Sequence, residues 1–110
     1  MVDALKPITW VGAAKADLAN FPRGARNVAG DELYLLQIGM DPVHWKPMSQ
    51  VGPGVREITI SEEGAFRIIY VAHTNAGPVV LHCFQKKTQQ TSKADIELAR
   101  QRLKEFRARK

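Results

Sequence analysis

Three stretches in the second half of the chain are rich in β-branched and aromatic residues: VREITI (55–60), AFRIIYVAH (65–73) and PVVLHCF (78–84). Only SEEG (61–64) and TNAGP (74–78) connect them. Links this short join antiparallel neighbours, because a parallel crossover needs roughly a dozen residues or more. The chain is thereby committed to a three-strand meander. In the first strand Ile58 and Ile60 share a face with Arg56, while Glu57 and Thr59 share the other. The second and third strands are apolar on both faces, which predicts central strands covered from both sides. One cover is expected from helices upstream. The other has to come from the last helix, a second copy or a partner protein, and a doubly apolar sheet predicts a tight protein partner.

Upstream, Lys6 to Trp10 reads as a short first strand, with Pro7 suited to an edge. Residues 13–20 read as a helix that Phe21-Pro22 ends, and Pro22 opens a second helix. Val28, Leu35 and Leu36 mark the apolar face of that helix, Gly30 weakens it and Gly39 stops it. MDPVHWKPMSQVGPG (40–54) holds three prolines and two glycines and reads as a loop, with Trp45 and Met48 covering a core edge. At the far end Ser92 caps a final helix, with Asp95 three residues on. Ile96, Ala99, Leu103 and Phe106 form its narrow apolar stripe, and the other faces carry Arg100, Arg102, Lys104, Arg107 and Arg109.

The 110 residues fit a single domain, 1–110, and 45% apolar content is ordinary for a folded chain. No stretch approaches the roughly 20 apolar residues of a membrane span. The run from Ile8 to Ala14 is too short for a leader, and Asp3 stands where one carries positive charge, so a cytoplasmic protein is expected. One cysteine, Cys83, excludes an internal disulfide and lies in an apolar run, which predicts a buried, inert thiol. His44, His73 and His82 lack the spacing of a metal site. Positive charge is gathered at one end. Residues 82–110 hold nine Lys or Arg against three acids, whereas residues 1–81 hold seven against eight. That asymmetry fits a polyanionic partner (nucleic acid, an anionic membrane or an acidic protein) or a solvated helix end.

The stretches VREITISEEGAFRIIYVAH and VVLHCFQKKTQQTSKADIELARQR resemble the RelE/HigB-like toxins of bacterial type II toxin–antitoxin systems. More narrowly they are similar to the phage-derived branch with an LHxFxKKTQKTP-type motif before the final helix. KPITW, the Phe-Pro turn and HWKPM match that branch too, so the likeness covers nearly the whole chain. The fold it implies is α+β and RelE/ParE-like: an N-terminal strand and helical hairpin on an antiparallel sheet of about four strands, plus a C-terminal helix.

The activity it implies is ribosome-dependent cleavage of mRNA, with no metal and no cofactor. The ribose 2′-hydroxyl attacks the neighbouring phosphate and leaves a cyclic phosphate and a free 5′-hydroxyl. Such a reaction needs a proton acceptor, positive charge around the phosphorane and a proton for the leaving oxygen. The catalytic candidates are Arg67 on the strand after the glycine turn, Lys86 and Lys87 at the last strand's end, His82 and Glu57. Arg67 has the fork for phosphate, and His82 titrates near neutral pH. Arg67 also has Glu57 or Glu63 available as a structural ion pair. RNA contacts are expected from Arg56, Gln85, Thr88, Gln89, Lys93 and Arg100, and base stacking is open to Tyr70, although core roles suit His82 and Tyr70 better. Well-known relatives carry lysines on the strand before the glycine turn, where this chain has Glu57 and Thr59. The partners implied are the ribosome and mRNA and a small helix-turn-helix antitoxin, in a toxin–antitoxin heterotetramer. A gyrase inhibitor of the ParE type and a degenerate phage-derived binding module are the competing functions.

Overall fold

The computed structural model describes residues 5–109, so Asp3 and Lys110 of the sequence reading lie outside the described residues. The order of elements is β1 (Thr9–Trp10), α1 (Ala14–Ala19), α2 (Arg23–Gln37), β2 (Trp45–Pro47), β3 (Val55–Ser61), β4 (Ala65–Val71), β5 (Val79–Gln85) and α3 (Lys93–Ala108). The strands form one sheet in the order β1-β5-β4-β3-β2. Strands β2 to β5 pair antiparallel, and β1 runs parallel to β5. Among the described residues no helix is long and apolar enough to cross a membrane.

The α+β class and the meander stand as the sequence implied, with two corrections. The sheet has five strands because part of the presumed loop is a strand: Trp45, Lys46 and Pro47 pair with Ile58, Glu57 and Arg56. Pro47 is tolerated because β2 is an edge strand. The first strand shrinks from Lys6–Trp10 to two residues. At the N-terminus of α2, Pro22 is the cap residue, and the backbone N–H of Gly24 donates to the carboxylate of Glu63. Glu63 adopts φ 57 in the β3–β4 turn, which aims its side chain at that helix end, where the dipole favours an anion. Gly39, at φ 86, supplies the left-handed residue that ends α2.

Two cores lie on the two faces of the sheet. On the first face Ile58, Ile60, Ile68, Tyr70, Val80 and Cys83 pack against Ala25, Ala29, Leu33 and Leu36 of α2. On the second, Val55, Ile69, Val71, Val79, Leu81 and Phe84 pack against Ala99 and Leu103 of α3 and Met48 and Val51 of the β2–β3 connection. The second cover is therefore the chain's own last helix, and the expectation that a doubly apolar sheet demands a partner loses its basis. Each large side chain buried here contributes about 1.5–3 kcal/mol, so α3 is bound firmly despite its narrow stripe.

A bulge decides what faces α3. Ile69 pairs with His82 and Tyr70 with Val80, so Leu81 is an extra residue in β5. Strict alternation puts His82 on the α2 side. The extra residue turns His82 and Phe84 to the α3 side and Cys83 to the other.

Candidate functional site

Beyond the first turn of α3 the second face of the sheet is no longer covered by a helix, and charged side chains replace apolar ones. Glu57 on β3 is fully buried, with a side-chain exposure of 0%. Its Oε2 accepts a hydrogen bond from the Thr91 hydroxyl at 2.7 Å, which ties the β5–α3 loop down over β3. Its Oε1 has no hydrogen-bond partner and faces two cations, Arg67 Nε at 3.6 Å and Lys46 Nζ at 3.7 Å. Arg67 stands two cross-strand pairs along, on the same face, opposite Thr59 on β3 and Phe84 on β5. Its side chain is 13% exposed, Nη1 donates to the Phe66 carbonyl, and Nε has no hydrogen-bond partner.

Lys86 follows directly on β5, its backbone N–H donating to the Ala65 carbonyl. Desolvation and then the positive charges of Arg67 and Lys46 push its ammonium below the ordinary lysine range, against an opposing pull from Glu57. Lys86 also shares a recess of about 200 Å³ with Gln85, Lys87, Thr88, Ser92 and Asp95. It thus belongs both to the ion cluster around Glu57 and to the loop recess. Together these groups can neutralise phosphate, and a lysine of lowered proton affinity can accept a proton.

Behind the recess, His82 Nε2–H donates to Asp95 Oδ1 at 2.7 Å, and Asp95 Oδ2 accepts from the Ser92 hydroxyl. Ser92 Oγ in turn accepts from the Asp95 N–H, the helix cap that the sequence predicts. The ring of His82 stacks on Phe84, and its Nδ1 lies 3.5 Å from Arg102 Nη1. Arg102 is not on an outer face of α3, as its spacing implied. It is buried and donates to the Leu81 carbonyl at the bulge. His82, buried, pins the first turn of α3 to the sheet.

Of the residues singled out from the sequence, Glu57, Arg67 and Lys86 come together, and Lys86, Lys87, Gln85 and Thr88 share the recess. Gln89 is exposed on the same loop, and Lys93 is exposed at the start of α3. Arg56 is elsewhere: it pairs with Asp41 at 2.9 Å and lies over the Trp45 ring. Arg100 binds the Gln50 carbonyl and Glu97, along α3. Tyr70 is fully buried in the first core, which rules out base stacking; burial pushes its hydroxyl up to about 12, with Arg56 acting the other way. Burial likewise pushes the Cys83 thiol up, which makes it inert. Of the two acids open to Arg67, Glu57 is its partner, and Glu63 serves α2. Sequence reasoning missed Lys46 and Thr91. HWKPM marked the neighbourhood of Lys46, but the proline-rich composition concealed the strand that aligns it.

A five-strand sheet with an early helix pair on one face and a C-terminal helix on the other is compatible with a RelE-like fold. The chain belongs to the phage-derived Gp49-like protein family (DUF891), whose model matches residues 16–104. Membership of that family is consistent, at a coarse level, with a toxin-like module. A comparison with curated proteins finds no match.

Proposed function

We propose that this chain is the toxin of a type II toxin–antitoxin system, HigB-like, and that it cleaves mRNA on the ribosome without a metal or cofactor. The observation that carries this is the cluster of Arg67 and Lys86 around buried Glu57, continuous through Lys86 with the recess that holds Lys87. Lys86 takes the proton of the ribose 2′-hydroxyl. The 2′ oxygen attacks phosphorus, and the bond from phosphorus to the 5′ oxygen breaks. The 5′ oxygen leaves with a proton from the Lys87 ammonium, and a 2′,3′-cyclic phosphate remains. Arg67 stabilises the charge of the phosphorane, with Gln85 and Thr88 at the flanking sugar or base. Glu57 has no exposed surface from which to reach a ribose hydroxyl, so it acts by holding the cations. A small helix-turn-helix antitoxin neutralises the activity in the cytoplasm.

The test is expression in bacteria with primer extension on translated messages. Wild-type protein gives discrete cuts and halts growth. Arg67→Ala and Lys86→Ala each lower cleavage by about 10²–10³-fold, the effect of losing one transition-state contact, with the fold intact by circular dichroism. Wild-type cleavage in both folded variants removes the site assignment. Growth arrest with intact mRNA and blocked supercoiling identifies a gyrase inhibitor instead.

A further inference from the structure

We propose that Lys46, on edge strand β2, is a phosphate-binding residue that adds a second subsite for a ribonucleotide backbone on the β2 side of Glu57. This rests on the nuclease function proposed above and extends it to a strand outside the β3–β5 meander. Lys46 pairs with Glu57 across the β2–β3 ladder, which fixes the direction from which its ammonium reaches the carboxylate. The ammonium stops 3.7 Å from Glu57 Oε1, an ion-pair distance without a hydrogen bond. Among the described residues it makes no other polar contact, and its side chain is 53% exposed. Its N–H donors are therefore free to meet a ligand while its position is held from beneath.

Stability does not explain the arrangement. A partly exposed lysine pair adds little to folding. Two cations, Lys46 and Arg67, share the Glu57 carboxylate, and Lys86 lies near enough to feel the charge of all three, which leaves a local charge of about +2. Arg67 and Lys46 repel the Lys86 ammonium and add to the desolvation that chiefly lowers its proton affinity. A bound anion relieves that repulsion. Two successive phosphodiesters carry the matching charge: one at Arg67 and Lys86, the other at Lys46. Lysine suits the second because a backbone phosphate away from the chemistry needs a point charge and no fixed fork.

The experiment measures binding of a short labelled single-stranded RNA to the full chain over a salt series, by fluorescence anisotropy. With Lys46→Ala the slope of log K against log salt becomes shallower by about 0.7, the loss of one phosphate contact on a single strand. Lys46→Arg, which keeps the charge, retains the wild-type slope. A wild-type slope and affinity in Lys46→Ala, alongside a shallower slope in Arg67→Ala, overturns the subsite and leaves the nuclease function standing. Wild-type binding in both alanine variants overturns the two together.

Discussion

The two faces of the sheet each carry a buried glutamate, and the two are treated differently. Glu32 on α2 is 5% exposed, and its carboxylate oxygens accept from the backbone N–H groups of Val43 and His44. Every acceptor faces a neutral donor, and the result is a clamp holding the α2–β2 connection to the helix. Glu57 has one oxygen satisfied by Thr91 and the other set between two cations outside hydrogen-bonding range. A closed polar network specifies structure, whereas a network with unpartnered buried atoms, Glu57 Oε1 and Arg67 Nε, retains capacity for a ligand. The face that α2 covers is built for packing, and its unpartnered buried side-chain atom among the described residues is the neutral Tyr70 hydroxyl. The face that α3 covers incompletely is built for packing at one end and for charge at the other.

The sharpest way to break this contrast is the loss of cleavage already set out for Arg67→Ala, since no change on the α2 face should approach it. Next in size is Glu32→Ala. It strands two part-buried backbone donors and should destabilise the fold by about 1–3 kcal/mol, read by chemical denaturation. Cleavage per folded molecule should stay at the wild-type rate. A large loss of cleavage in folded Glu32→Ala protein means the faces are not separable. Glu57→Gln should do the reverse. It removes a negative charge beside an anion site, so RNA binding tightens by about threefold, the effect of one charge several ångströms away in water-like surroundings. Cleavage of bound RNA falls because Arg67 and Lys46 lose their anchor. Weaker RNA binding in Glu57→Gln contradicts a purely electrostatic opposition between Glu57 and the ligand.

The same contrast explains what the sequence could disclose. Residues whose role follows from local periodicity were legible: the meander, the faces of β3, Ser92 as a cap and Gly39 as a stop. The place of Lys86 and Lys87, just past the end of β5, was legible because they break the apolar run. Features set by pairing across the sheet were not. The bulge at Leu81 shifts the register by one residue and so exchanges the faces of His82 and Cys83, which no local pattern announces. Arg102 looks like an outward cation until the carbonyl freed by that bulge gives it a partner. Lys46 looks like a loop residue until β3 offers an edge.

The smallest expected effect is also the most discriminating, because it has a sign. Lys86 must be neutral to accept a proton, so the rising limb of the cleavage–pH profile should follow its lowered pKa. Desolvation, Arg67 and Lys46 lower that pKa, and Glu57 raises it. Lys46→Ala removes a lowering charge, which moves the rising limb to higher pH. Glu57→Gln removes the raising charge, which moves the limb to lower pH. Single-turnover cleavage of ribosome-bound message over a pH series measures both. Opposite displacements from residues paired across β2 and β3 are hard to produce through general loss of structure, which displaces neither limb systematically. Identical profiles in wild type and both variants exclude Lys86 as the base, and the proton must then be taken by a group outside this cluster.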